Sequence, residues 1–332
     1  MNIDWLGTGS KPKKVKIVDT KTVISKTKRK KKPRAREKEI RKIENKYVNG
    51  SWKENPESPW DFERLLVENN KLAETWIRYM AYHLNNSNLK LAREVAERGI
   101  KAITINDLQG RMNLWIAYLN MEVKYGDNAK DVFKRSINCN DPATMYIKMF
   151  RIYSKCGKAE LAMETANEGI SKFPDLNELW IDLLKFYYKE GKADCAKELH
   201  KKASQRCSKR EFCYITSQIA LLEYKYGDPN SGQDMFEKLL DENAKRMDFW
   251  QQYIDAHIKY KLKNFDNMEK SKRTESMEQL RNIFKRATYL GLKPKKMKII
   301  FAKWLSFETD YGDAKSQATV RERARQYVES LG

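Results

Sequence analysis

Leu114-Trp115-Ile116-Ala117-Tyr118-Leu119-Asn120-Met121-Glu122-Val123-Lys124-Tyr125-Gly126-Asp127 carries the pattern that decides the fold. Its end has the form Glu-x-x-Tyr-Gly-Asp, which returns at Glu223 with Tyr226-Gly227-Asp228 and at Glu308 with Tyr311-Gly312-Asp313. An internal repeat on this scale implies an array of similar helical units rather than one globular core. Counting eleven residues back from Gly126, Gly157, Gly191, Gly227 and Gly312 reaches Trp115, Tyr146, Trp180, Thr216 and Phe301. Trp76 and Trp250 anchor two further units that lack the glycine. Three residues after the anchors stand Tyr79, Tyr118, Met149, Leu183, Ile219, Tyr253 and Trp304; seven after them stand His83, Glu122, Tyr153, Tyr187, Glu223, His257 and Glu308. Offsets of 0, 3 and 7 share one face of an α-helix. The glycine is expected to end that helix by taking the left-handed conformation, and the following Asp to cap the next one.

A second helix follows in each unit. Leu91-Ala92-Arg93-Glu94-Val95-Ala96-Glu97-Arg98-Gly99-Ile100 aligns without gaps to Leu161-Ala162-Met163-Glu164-Thr165-Ala166-Asn167-Glu168-Gly169-Ile170. The small residues at matching steps let two helices approach closely and leave a groove for the large aromatic of the first helix. The anchor spacings of 39, 31, 34, 36, 34 and 51 residues scatter about the length of a helix-pair repeat. The long last interval contains a polar stretch, Lys261 to Thr274, read as an extended loop or as extra turns. Stacked helix pairs form a right-handed superhelix. The expected fold is therefore all-α, a right-handed α-solenoid of about seven helix pairs over residues 51–332, behind a basic and largely disordered tail over residues 1–50.

That tail holds 17 Lys/Arg against 5 Asp/Glu, a net +12 of the +21 carried by the 332 residues. Its densest part is Lys26-Thr27-Lys28-Arg29-Lys30-Lys31-Lys32-Pro33-Arg34-Ala35-Arg36. A block of like charge repels itself and cannot fold around a core. Lys28, Arg29, Lys30, Lys31, Lys32, Arg34 and Arg36 fit a nuclear-import signal, an RNA-phosphate contact or a solubilising linker. No aromatic interleaves them, which argues against base stacking there. A short helix is expected over 36–47, with Ile40, Ile43 and Tyr47 on one face. Two more basic groups lie in the repeats: Lys201, Lys202, Arg206, Lys209 and Arg210, then Lys293, Lys295, Lys296 and Lys298. Each reads either as a solvated face or as a surface for RNA or an acidic partner.

Catalytic chemistry finds no footing. The three histidines are His83, His200 and His257, and two of them occupy the seventh-offset repeat position, which makes them packing residues. Glu122, Glu223 and Glu308 lie in different units, so they cannot pair as acid and base; each is expected to accept hydrogen bonds from a neighbouring helix. There is no P-loop, no dinucleotide-binding glycine pattern and no metal-ligand spacing. The five cysteines show no zinc-type pairing and read as reduced thiols. No cofactor, small-molecule substrate or membrane contact is expected, and residues 1–10 lack the layout of a secretory signal.

Trp-x-x-Tyr-x-x-x-Glu on the first helix and Ala-Arg-x-x-x-Glu-Arg on the second resemble the half-a-tetratricopeptide (HAT) repeat. Pro56-Glu57-Ser58-Pro59-Trp60-Asp61-Phe62-Glu63-Arg64-Leu65-Leu66, Trp76-Ile77-Arg78-Tyr79-Met80-Ala81-Tyr82-His83-Leu84, Ala92 to Arg98, Leu114 to Glu122 and Pro294-Lys295-Lys296-Met297-Lys298 go beyond that repeat. They resemble the C-terminal region of the ribosomal RNA processing protein Five family, over about residues 35–330. That family's OB-fold RNA-binding repeats, which precede the HAT region, have no counterpart in these residues. The resemblance implies a non-catalytic scaffold in the nucleus and nucleolus. It would dock into the small-subunit processome, with pre-rRNA or snoRNA and processome proteins as partners, and support pre-rRNA processing. A HAT scaffold of mRNA splicing or 3′-end processing is the alternative.

Overall fold

A computed structural model describes residues 33–262 and 269–330. Among these residues there are seventeen α-helices, one π-turn and no strand. The chain divides into two compact units, Met1–Asn167 and Glu168–Gly332. The first holds α1 (Pro33–Val48), α2 (Ser51–Glu54), α3 (Pro59–Glu68), α4 (Ala73–Asn85), α5 (Leu89–Ala102), α6 (Leu108–Tyr125), α7 (Ala129–Cys139) and α8 (Pro142–Lys155). Helix α9 (Ala159–Lys172) runs across the division. The second holds α10 (Asn177–Lys189), α11 (Ala193–Arg206), α12 (Lys209–Tyr226), α13 (Pro229–Glu242) and α14 (Met247–Ala256), the π-turn (His257–Lys261), then α15 (Lys270–Thr288), α16 (Pro294–Tyr311) and α17 (Ala314–Glu329). Seven first helices, the even-numbered ones from α4 to α16, thus alternate with seven second helices.

Packing is serial within each unit, as in an α-solenoid. Helix α6 lies against both helices of the pair before it, α4 and α5, and α8 lies against α6 and α7. In the second unit α12 lies against α10 and α11, and α14 against α12 and α13. Trp76, Trp115, Tyr146, Trp180 and Trp250 are all buried. Ala92, Ala96, Ala162, Ala166, Ala196 and Ala203 are buried on the second helices, so the backbones approach closely. At Gly99 a Cβ would press on the Trp76 ring at 2.9 Å. Three anchors share a latch: the indole N–H donates to the carbonyl six residues earlier, Trp76 to Asn70, Trp180 to Pro174 and Trp250 to Ala244, each at 2.8 Å. Each of these tryptophans stands three residues into its helix, so the accepting carbonyl lies in the loop before it. Helix α6 starts seven residues before Trp115, so the equivalent carbonyl already belongs to the helix.

Four details depart from the expected frame. In the last pair the buried aromatic is Trp304, stacked on Phe284 with ring centroids 5.5 Å apart, while Phe301 is half-buried. In α12, where Thr216 replaces an aromatic, His200 bonds the Thr216 hydroxyl at 2.8 Å and stacks on Phe212. The glycines fall into two classes. Gly157 and Gly191 are left-handed, at φ 73° and 72°, but Gly126, Gly227 and Gly312 have φ of −112°, −113° and −99°, outside the left-handed region. There the requirement is space: a Cβ on each would overlap the carboxylate of Glu122, Glu223 or Glu308 four residues earlier. Asp228 and Asp313 do cap α13 and α17, but Asp127 instead accepts from Arg93 at 2.8 Å. Within the Lys261–Thr274 stretch, helix is already under way from Lys270.

Candidate nucleic-acid interface

Most arginines of the second helices are engaged inside the array. The Arg98 guanidinium lies 5.4 Å from the Trp76 ring centroid and bonds both oxygens of Glu63, at 2.7 and 2.8 Å. Tyr79, one turn along from Trp76, donates to the same carboxylate at 3.0 Å. One pair later the set recurs: Arg135 lies 5.5 Å from the Trp115 centroid and bonds Glu97 at 2.7 Å, and Tyr118 donates to Glu97 at 3.1 Å. The second unit has one more, with Arg286 on Trp250 and Glu237, and Tyr253 donating to Glu237. The arginine hydrogen bond holds Glu63 and Glu97 below the usual carboxylate range. Burial, then the bond to Glu63, pushes the Tyr79 phenol up to about 12.

A second arginine type serves the repeated Glu. Arg93 bonds Glu122 at 2.7 and 2.9 Å, and Arg281 bonds Glu308 at 2.9 Å through both nitrogens. Glu223 accepts from the Tyr188 hydroxyl at 2.7 Å instead. All three carboxylates are buried, and two also receive a backbone N–H beyond the helix end, Glu122 from Asn128 and Glu223 from Asp228. Burial pushes the Glu308 carboxyl up, but bonds from Arg281 and Trp304 outweigh it and hold it low. The motif singled out in the sequence is thus a structural joint between helices.

What remains free is the candidate interface. Lys28, Arg29, Lys30, Lys31 and Lys32 lie outside the described residues. Arg34 and Arg36 lie on α1, where Arg36 is exposed. The far end of α1 is tied down: Tyr47 donates to Asp61 at 2.6 Å, Lys46 pairs with Glu57 at 2.8 Å, and Trp52 packs beneath Tyr47 and Arg64. Lys201 and Lys202 are exposed on α11, and Arg210 on the first turn of α12. Arg206 reaches the Ser171 hydroxyl at 3.3 Å and Lys209 pairs with Glu242 at 3.5 Å, so these two are partly engaged. Lys293 precedes α16, and Lys295, Lys296 and Lys298 sit in its first turns, all exposed. Their charge adds to the positive end of the helix dipole, an arrangement that favours a bound anion. The structure keeps the two groups on separate helices, α11–α12 and α16.

A third group was invisible in the sequence because its members lie far apart. The ends of α10, α12 and the π-turn bring Lys185, Lys189, Lys225, Tyr226, Lys259 and Tyr260 to one edge of the second unit. The only sequence signal was the Lys-Tyr dipeptide that recurs at helix ends, as Lys46-Tyr47, Lys124-Tyr125, Lys225-Tyr226 and Lys259-Tyr260. The histidines serve packing: His83 lies against the rings of Tyr79 and Tyr82, and burial, then Lys261, pushes His257 down to about 4. Among the described residues no cluster of His, Cys, Asp or Glu is placed to hold a metal ion, and no helix is long and apolar enough to cross a membrane.

No protein-family model matches the chain. Its sequence is similar to the rRNA biogenesis protein rrp5 of Schizosaccharomyces pombe, 35% identical over 275 residues that cover 82% of this chain and 15% of the relative. It is 31% identical over 296 residues to the Mus musculus protein RRP5 homolog, covering 89% of this chain and 15% of the relative. Against the Drosophila melanogaster rRNA biogenesis protein RRP5 the identity is 28% over 330 residues, 98% of this chain and 22% of the relative. The chain therefore spans about one seventh to one fifth of the length of these relatives.

Proposed function

From its membership, along 82–98% of its length, of the RRP5 family of rRNA biogenesis proteins, we propose that this chain acts in ribosome biogenesis as a non-catalytic helical scaffold. It docks into the small-subunit processome in the nucleolus, contacts pre-rRNA or snoRNA through its free cations, and supports processing toward small-subunit rRNA. The observation that carries this reading is the similarity itself, which runs through nearly all of the helical array. The disposition of charge supports it. Arginines on α5, α7 and α15 are neutralised within the array, whereas lysines on α11 and α16 face solvent and are suited to phosphate. Residues 1–50 act as a basic arm for nuclear import and RNA contact.

Depletion of the protein tests this. Unprocessed pre-rRNA should accumulate and small-subunit rRNA should fall; normal pre-rRNA with defective splicing would sink the reading. Because Lys46 and Tyr47 pack against the segment around α3, the arm is best tested by deleting residues 1–32. That deletion should lower nuclear accumulation and flatten the salt dependence of RNA binding while leaving the melting temperature in place.

A further inference from the structure

In the second unit, α12 packs against α10 and against the π-turn that ends α14, so three helix ends meet. Tyr226, the last residue of α12, is 42% exposed. The Lys225 ammonium sits 4.7 Å from its ring centroid. Next to it, the Lys259 ammonium lies 5.4 Å from the Tyr260 ring, and Tyr260 stacks on the buried Tyr224 at 6.3 Å. The neighbouring Lys225 ammonium, with the charges of Lys189 and Lys185, holds the Tyr226 phenol below its ordinary value, so these four residues share one field.

The cations on this edge are free, and most of its acids are not. Lys189, Lys225 and Lys259 are exposed and make no ion pair among the described residues; Lys185 has a loose contact with Asp182 at 3.9 Å. Glu223 is buried on Tyr188, and the Asp228 carboxylate caps α13 through the N–H groups of Asn230 and Ser231. Glu190 is the exposed exception. Lysines at helix C-termini are explained by the helix dipole alone. An exposed tyrosine set among them, with a lysine near its ring, is not.

We propose that this edge binds single-stranded RNA, with a base stacked on the open part of the Tyr226 ring and phosphates on Lys189, Lys225 and Lys259. Aromatic platforms interleaved with cations bind single strands with little sequence preference. The inference rests on the ribosome-biogenesis reading and gives its RNA contact a location. The first unit carries the same device at the same repeat step, with Lys124 4.9 Å from the ring of Tyr125, which is 49% exposed.

The test is fluorescence anisotropy of the whole chain with a labelled oligouridylate of about twelve nucleotides, several times the footprint of one stacked base. Tyr226→Ala should weaken binding roughly 5- to 150-fold, while Tyr226→Phe, which keeps the stacking face, should stay within about twofold. Duplex RNA of the same length, its bases already stacked, should be insensitive to Tyr226→Ala. The double variant Lys189→Ala/Lys259→Ala should lower the slope of log affinity against log salt by roughly 1.4, about 0.7 per phosphate contact. Equal losses for Ala and Phe at Tyr226, or binding unchanged by Tyr226→Ala, would overturn the proposal. So would an unchanged salt slope in the lysine double variant, whose exposed positions leave folding intact. A pre-rRNA defect on depletion, together with binding indifferent to Tyr226, would overturn this inference and leave the biogenesis reading standing.

Discussion

On α5, Glu97 and Arg98 stand five and six residues after the buried Ala92; on α11, Lys201 and Lys202 stand at the same two steps after the buried Ala196. The helix pairs share a plan, but their surfaces differ. Around α5 the two charges are drawn into the array, Arg98 to Glu63 and Trp76, Glu97 to Arg135 and Tyr118. On α11 the acid of the set is replaced by a second cation, and Leu183 and Ile219 stand on the flanking first helices where tyrosines would donate. The clamp cannot form, and both lysines are left to solvent. An interface in such an array is found by asking which charges the packing leaves over, since total charge treats Arg98 and Lys202 alike.

The largest expected effect breaks the part the two regions share. Trp115→Ala and Trp180→Ala should each cost about 3–5 kcal/mol in urea unfolding, because each empties a fully buried anchor slot. Next come the glycines. Gly126→Ala should cost about 1–3 kcal/mol by overpacking against Glu122, and that cost should vanish in a Glu122→Ala background. Gly191→Ala, strained by its φ of 72° alone, should cost about 1–2 kcal/mol whatever its neighbours. Arg135→Ala should cost about 1–2 kcal/mol through lost ring contact and pairing. Lys202→Ala, at the step equivalent to Arg98, should stay within about 0.5 kcal/mol while flattening the salt dependence of RNA binding.

Acid separates the regions in the same sense. The carboxyls of Glu63 and Glu97 have folded values below the ordinary 4.5. Their contribution is therefore present above the unfolded value and is lost as pH falls through the lowered folded one. Hydrogen exchange at pH 6 and near pH 3.5 should show α3–α7 losing more protection than α10–α11, and Glu97→Gln should shrink that difference.

The helix pairs were legible in the sequence because Trp76, Trp115, Trp180 and Trp250 repeat at a spacing and offset that only helices satisfy. Seven alternating pairs follow from that rhythm. The anchor shift from Phe301 to Trp304 was not legible, since both are large aromatics on α16, one turn apart. Nor were the two kinds of glycine. Gly126 and Gly191 sit at the same repeat step, preceded four residues earlier by Glu122 and by Tyr187; that the Glu122 carboxylate folds back over Gly126 while Gly191 takes a φ of 72° is visible only in three dimensions. As for the candidate site, Lys201, Lys202 and Lys293 to Lys298 could be named from composition, but their freedom depends on partners dozens of positions away. Glu63 meets Arg98 across 35 residues and Glu237 meets Arg286 across 49. The group around Tyr226 is assembled from three helix ends, and no window on the chain contains it.

The π-turn at His257–Lys261 has a consequence for how such an array tolerates extra length. A π-turn accommodates one residue more than an α-helical turn and so advances the side chains after it by about 100°. Lys261 thereby turns inward, where its ammonium bonds Gln233 at 2.6 Å and Gln279 at 3.2 Å, and burial pulls it below the usual lysine range. The interval that follows is the longest between anchors, yet α15 re-enters with Leu280, Ile283 and Phe284 all buried. The turn closes α14 by re-aiming its last side chains into the stack, and the buried face of the array is taken up again on α15.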